Sequence, residues 1–301
     1  MIEINNLTKT FQDVTALSGI TMTIPEDGVF GLIGTNGAGK STLLKILAGI
    51  LRETAGDVKL DSQSVFENPE IKKDIFYIPD DPYFFANASS REIAGFHETV
   101  YPDFQMETFD RLMKGFQLDP ERKVNTFSKG MKKQLSLALG ISVNTKYLLC
   151  DETFDGLDPV VRQTVKGLFA EEIDKRKLVP VIASHNLREL EDICEVVGLL
   201  HHGGVVFDAD LEKLKLDIHK VQVVFPEDWD SVNFEHLNIV RKENRGRLYT
   251  LTVRGSEKEI RERIEAEHPV FYEVLPLSLE EIFIEETEVL GYDIRKLVLG
   301  E

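Results

Sequence analysis

Residues 29–51 read VFGLIGTNGAGKSTLLKILAGIL: a short apolar run, a glycine-rich turn, then apolar residues at helical spacing. Val29 to Ile33 has the length and composition of a buried strand, and Leu43, Leu44, Ile46, Leu47 and Ile50 recur as one face of a helix would. Between them stands Gly34-x-x-x-x-Gly39-Lys40-Ser41. That spacing marks a phosphate-binding loop, and its residue types follow from the task. Glycines let the backbone fold back without Cβ clashes, so that successive N–H groups point at phosphate oxygens while the helix presents the positive end of its dipole. In this pattern Lys40 reaches the β- and γ-phosphates and Ser41 holds Mg2+.

At 301 residues the chain has material for one large or two modest domains, and we read two. A net charge of −17 and an isoelectric point near 4.9 mean that the average field repels phosphate polymers and anionic lipid. No nucleic-acid partner is expected. No stretch approaches the ~18 consecutive apolar residues of a membrane-spanning helix, and MIEINNLTKTF lacks the charged start and apolar core of a signal peptide. The expectation is a soluble intracellular protein. Cys150 and Cys194 lie in apolar runs without paired spacing and read as buried free thiols.

Outward from the loop, residues 2–7 and 20–24 alternate as half-buried strands, flanking a connection that carries Phe11, an aromatic with either a core or a contact role. Strands are expected at 56–60 and 75–78, the second stopped by Pro79-Asp80-Asp81-Pro82. A helical insert over about 83–145 follows: one helix capped by Ser89 or Ser90, one from Phe104 to Phe116, and one opened by Ser128. Tyr147 to Cys150 is a buried strand ending in Asp151-Glu152. Such paired acids are either a solvated strand end or, at the carboxyl end of an open α/β sheet, part of a ligand site. Leu178 to Ser184 reads as another buried strand, closed by His185, with a helix marked by Leu187, Leu190, Ile193 and Val197 and a hairpin turn at 201–204. From about residue 216 a small α+β domain begins, with strands at 221–225, 237–242, 248–253 and 270–275. Its helices are capped by Ser256 and Ser278, and Glu280, Glu281, Glu285 and Glu286 read as a solvated face.

In this order the pieces of residues 1–215 resemble the nucleotide-binding subunit of an ATP-binding cassette (ABC) transporter. GTNGAGKST at 34–42 matches the Walker A motif and YLLCDE at 147–152 matches Walker B with its following glutamate. FSKGM at 127–131 falls where the family has its LSGGQ signature, retaining Ser128 and Gly130 but placing Lys129 and Met131 at a glycine and the glutamine. Asp155-Gly156-Leu157-Asp158 looks like the D-loop, Ser184-His185 like the switch histidine, and Asp80 stands at the glutamine of the Q-loop.

The resemblance implies a P-loop cassette: a mixed sheet core with antiparallel N-terminal strands, a helical insert, and an accessory domain over 216–301. It implies ATP and Mg2+ as cofactors. Nucleotide contacts carry over to Phe11 (stacked on adenine), Gly34, Asn36, Gly37, Ala38, Gly39, Lys40, Ser41, Thr42, Ser128 and Gly130. Metal contacts carry over to Ser41, Asp151 and, with a shorter arm than glutamine, Asp80. Glu152 is implied as general base, with Lys40 and His185 completing the catalytic set. Two cassettes, identical or different, would pair head to tail and drive a separate multi-span permease from the cytoplasmic face of the membrane, with the SKGM-like signature pointing to export. The alternatives are a soluble ABC ATPase acting on a macromolecular assembly, or a nucleotide-gated regulatory module.

Overall fold

Ile2 and Ile4 are buried on one face of a strand with Glu3 between them more exposed, the period-2 signature of a half-covered sheet, and Leu7 rejoins that face across a register shift. A computed structural model of the chain describes residues 1–226 and 237–289. β1 (Ile2–Phe11) and β2 (Val14–Ile24) form one long antiparallel hairpin with Phe11 opposite Val14. The connection expected between residues 7 and 20 is thus strand. Its tip shows mostly partial or full exposure on both faces, so no alternation betrays it. β3 (Phe30–Ile33) is buried throughout and leads through the glycine-rich loop into α1 (Lys40–Leu47). At eight residues α1 is too short to hold itself in water. Leu43, Leu44 and Leu47 are fully buried, and at roughly 2 kcal/mol each packing supplies the stability that length does not. β4 (Ala55–Leu60) and β5 (Gln63–Ser64) add to the first sheet, giving the order β2-β1-β4-β5, and α2 (Pro69–Lys72) leads to β6 (Ile75–Ile78).

The insert holds α3 (Ser90–Val100), α4 (Met106–Gly115) and α5 (Lys129–Ser142). Ser89 caps α3 in a reciprocal box with Glu92, and Ser128 caps α5 by accepting the Met131 N–H at 3.2 Å. Then come β7 (Tyr147–Asp151), α6 (Pro159–Arg176), β8 (Val179–Ser184), α7 (Leu187–Ile193), β9 (Val196–His201) and β10 (Gly204–Asp210). The helix expected to reach Val197 stops at Ile193, because Val197 is drawn into β9 beside β3. The six-stranded sheet has the order β10-β9-β3-β8-β7-β6, and β9, β3, β8, β7 and β6 run parallel. One core joins Ile4 and Leu7 of the first sheet, Leu43 and Leu47 of α1, and Leu32 and Val181 of the second. Cys150 and Cys194 are both buried and free.

The chain divides into two compact units, Met1–Asp208 and Ala209–Glu301. The division precedes the expected residue 215 because α8 (Leu211–Asp217) belongs with the second unit, where Leu214 packs on Ile218, Leu277 and Ile282. That unit continues with β11 (Ile218–Val224), β12 (Asn238–Arg245), β13 (Leu248–Arg254), α9 (Glu257–Ala266), β14 (Phe271–Pro276) and α10 (Leu279–Val289). Its sheet is wholly antiparallel, in the order β12-β13-β11-β14. Glu285 departs from the expected solvated face: it is buried against Arg241 and Thr252, each 3.4 Å from its Oε1. The side chain of Glu286 lies outside the described residues.

Candidate active site

Because β3, β8, β7 and β6 run parallel, the loops that leave their carboxyl ends meet along one edge of the sheet. The loop 34–39 follows β3, Asp151-Glu152 closes β7, His185 follows β8 and Asp80 lies two residues beyond β6. They border a cavity of about 280 Å3 lined by Thr35 to Thr42 together with Ala16, Asp80 and Glu152.

The loop's shape needs its glycines for distinct reasons. Gly39 precedes α1 at φ 104, and a Cβ there would fall 2.7 Å from the Ala16 carbonyl oxygen. A Cβ on Gly34 would fall 2.8 Å from the Leu200 carbonyl oxygen on the neighbouring strand. Lys40, only 5% exposed, donates to the Gly34 carbonyl at 2.7 Å and lies 3.2 Å from Glu152 Oε1. Its ammonium is thereby held over the loop. Ser41 Oγ donates to Asp151 Oδ1 at 3.0 Å, and Tyr77 OH donates to Asp151 Oδ2 at the same distance. Burial pushes the Asp151 carboxyl above its ordinary range, with the negative charge of Glu152 adding to it, against the two hydroxyl hydrogen bonds.

Glu152 carries a left-handed backbone at φ 48, which costs a non-glycine residue roughly 1–2 kcal/mol. Its N–H donates to the Ala183 carbonyl at 2.9 Å, tying the turn to β8. One carboxylate oxygen faces Lys40; the other accepts the His185 N–H at 3.3 Å and lies 2.8 Å from His185 Nδ1. A carboxylate only accepts, which assigns the proton to Nδ1 and leaves Nε2 for another partner. Oxygen donors from Ser41 and Asp151, on a carboxyl whose ionisation a cation would favour, suit a hard ion such as Mg2+.

Lys40, Ser41, Asp80, Asp151, Glu152 and His185 are thus brought together with the loop residues Gly34, Asn36, Gly37, Ala38, Gly39 and Thr42. Phe11, Ser128 and Gly130 are not among the residues that line the cavity. Phe11 stands at the end of β1, 42% exposed, with Lys9 Nζ 4.8 Å from its ring centre. Ser128 is exposed at the start of α5, and a Cβ on Gly130 would meet the Gly156 carbonyl only at 3.6 Å, so its own chain does not demand a glycine there. Tyr77, Ala16 and Lys133 are absent from the sequence reading. Tyr77 sits in an apolar strand where nothing but strand order reveals that its hydroxyl meets Asp151. Lys133 donates to the Glu152 carbonyl from α5, the helix before β7, and nothing in Lys132-Lys133-Gln134 sets it apart from its polar neighbours in the sequence.

A family model described as ABC transporter matches residues 17–155. Over 284 residues, 94% of this chain and 97% of the relative, the sequence is 30% identical to the ABC transporter ATP-binding protein YtrB of Bacillus subtilis (strain 168). The chain belongs to the ABC transporter ATP-binding proteins. The cassette is also 28% identical, over 71% of each chain, to the bacitracin transport ATP-binding protein BcrA of Bacillus licheniformis. Among solved structures, the dimeric post-hydrolysis state of the ATP-binding cassette MJ0796 bound to ADP and Pi matches at a TM-score of 0.63 and 20% identity. That match covers 70% of this chain and 99% of the other. At that identity the likeness is one of fold. As a member of this family the cassette is an ABC-type ATPase.

Proposed function

We propose that the cassette hydrolyses ATP between two cassettes paired head to tail, this chain with a second copy or with a different one, and so drives a separate multi-span permease working as an exporter. The observation that carries this reading is the segment from Ile78 to Phe85. Asp80 borders the nucleotide cavity, and Tyr83 and Phe85 line an apolar recess of about 410 Å3 with Phe76, Phe96 and His97. Tyr83 is 84% exposed. Exposed aromatics around a recess mark a surface for a partner's apolar segment, and here the strand-end loop that bears one also touches the nucleotide cavity. Similarity over 94% of the chain to YtrB, and over 71% to BcrA, a transport ATP-binding protein, supports a transporter, and the signature flavour of Ser128-Lys129-Gly130-Met131 supports export. Among the described residues no helix is long and apolar enough to cross a membrane. The permease is proposed as another polypeptide, placing the cassette on the cytoplasmic face.

In the reaction we propose, the β- and γ-phosphates take Lys40 from the Gly34 carbonyl and from Glu152, and the loop N–H groups from Asn36 to Thr42 surround them. Release from Lys40 frees a Glu152 oxygen to accept the proton of the attacking water, while His185 Nδ1 holds the other oxygen in place. Nε2 then faces the γ-phosphate. Ser41 and Asp151 would hold Mg2+, which supplies charge stabilisation to the phosphates when bound. Phe11 offers a ring for adenine. Ser128, exposed, and Gly130, half-buried, neither of them among the residues that line this cavity, offer the N-terminus of α5 to the γ-phosphate held by the paired cassette. Phosphoryl transfer gains its rate from positioning and charge, so a site divided between two cassettes makes ATP the glue of the pair.

The test is affinity purification of Glu152→Gln from detergent-solubilised membranes of the native host, with and without ATP. A stoichiometric multi-span protein, lost on Tyr83→Ser, is the expected result. Recovery of soluble partners alone would move the reading to a non-transport ABC ATPase.

A further inference from the structure

We propose that Lys133 is a positioning residue for hydrolysis: its buried ammonium pins the backbone of Glu152 and takes Asp80 as counter-ion, so the candidate base and the loop leading to the aromatic recess share one charge. This rests on Glu152 being the base, as argued above.

Lys133 lies on α5 and is 1% exposed. Its Nζ donates to the Glu152 carbonyl at 2.5 Å, and lies 3.4 Å from Asp80 Oδ1 and 3.9 Å from Asp155 Oδ2. One turn earlier on the same helix, Lys129 approaches the same Asp80 oxygen at 3.8 Å. A buried ammonium persists only where its protons find acceptors and its charge finds an opposite one. Lys133 finds them on three segments: the loop after β6, the turn after β7 and the residues that follow it.

The contact with Glu152 is to the backbone, at a left-handed residue. The N–H of Glu152 is held by Ala183 and its carbonyl by Lys133, so both flanking peptide groups are fixed. The carboxylate is thereby aimed at Lys40 and His185 from a conformation that an L-residue keeps only under restraint. The same arrangement accounts for aspartate at position 80, where the family has glutamine. A carboxylate 3.4 Å from the ammonium answers its charge, where a carboxamide would leave it only the more distant Asp155. Asp80 is then Lys133's partner rather than a ligand of the metal.

The experiment compares ATP hydrolysis by the full chain with Lys133→Gln, Asp80→Gln and the double variant, at varied ATP and varied Mg2+. Each single change is expected to lower kcat by about 10- to 100-fold with KM within about threefold, the signature of a misplaced group rather than lost binding. In the double variant two carboxamides can bond to each other and to the Glu152 carbonyl without stranding a charge, and kcat returns to within about fivefold of the parent. Half-saturating Mg2+ in Asp80→Gln stays at the parental value. Parental kcat in Lys133→Gln, a double variant slowed by the product of the singles, or a raised Mg2+ requirement in Asp80→Gln overturns the proposal. Should Lys133→Gln fail to fold, recovery of the double over Asp80→Gln is the same test, and a double that also fails to fold overturns it. Glu152→Gln run alongside separates the two ideas: parental hydrolysis there removes the base itself, whereas an inactive Glu152→Gln beside a fully active Lys133→Gln removes only the positioning.

Discussion

Glu152 meets two opposed demands, a carboxylate free to take a proton and one held still enough to aim. Its oxygens are committed to Lys40 and His185, and its backbone is restrained at φ 48. Replacing it with glutamine keeps the size and the contact with His185 but removes the basic oxygen. Phosphate release is therefore expected to fall by about 10²- to 10⁴-fold while equilibrium nucleotide binding is kept. A parental rate would remove Glu152 from the role. Gly39→Ala acts through shape instead. Its φ of 104 and the Ala16 carbonyl 2.7 Å from the added Cβ leave no room that backbone can yield. A loss of about 2 kcal/mol, read as a fall of roughly 4–8 °C in thermal midpoint, is expected together with weakened ATP binding.

Between elements, the ends of β2, β4 and β7 are joined by charge. Lys146 donates to Glu26 at 2.8 Å and to Asp61 at 2.7 Å, and the Met1 ammonium lies 3.0 Å from Asp61. Burial works against ionising Asp61, but hydrogen bonds from Lys146, the N-terminus and Tyr147 outweigh it and hold the carboxyl well below its ordinary range. Glu26 is held low chiefly by Lys146. Carboxylates depressed in the folded state stabilise it above their unfolded values, so this contribution is full above about pH 5 and drains away as pH falls through the folded values. Lys146 has the opposite sign: despite burial, Asp61 and Glu26 raise it, and its share is lost only in alkali. Urea midpoints measured between about pH 5 and pH 2 are expected to fall more steeply for the parent than for Asp61→Asn. Equal slopes would take this cluster out of the acid response.

The elements most legible in the sequence are those whose signal is local. Val29 to Ile33 and Tyr147 to Cys150 are apolar enough to be buried on both faces, and Ser89 with Glu92 announces a helix start within four residues. The phosphate loop needs no tertiary knowledge at all. What stays hidden depends on neighbours. The tip of the β1–β2 hairpin is wet on both faces and so loses its period, and Val197 reads as helix until β3 is known to lie beside it. Tyr77 and Lys133 join the site only through strand order and helix packing, and Glu285 looks like any surface acid until Arg241 is placed against it.

For the whole molecule, two units with separate cores mean that damage to one need not be felt by the other. Glu285→Gln keeps an acceptor oxygen for Arg241 and Thr252 but removes the buried negative charge that faces Arg241, a loss of about 1–3 kcal/mol. Hydrogen exchange is expected to speed up at Val221 and Leu251 in the second unit while Leu32 and Val181 in the first keep their protection. Uniform acceleration would show that the units unfold as one.

Both cysteines lie in the first unit, Cys150 one residue before the Asp151 carboxyl and Cys194 where α7 gives way to β9. Burial pushes the Cys150 thiol up to about 12 and Cys194 well above its ordinary value, so neither offers a thiolate to solvent while the parallel sheet is closed. The native chain thereby carries its own alkylation clock. A maleimide or disulfide reagent is expected to modify it only when the nucleotide-binding unit opens. ATP should slow that clock by stabilising the closed form, and the second unit can melt without advancing it.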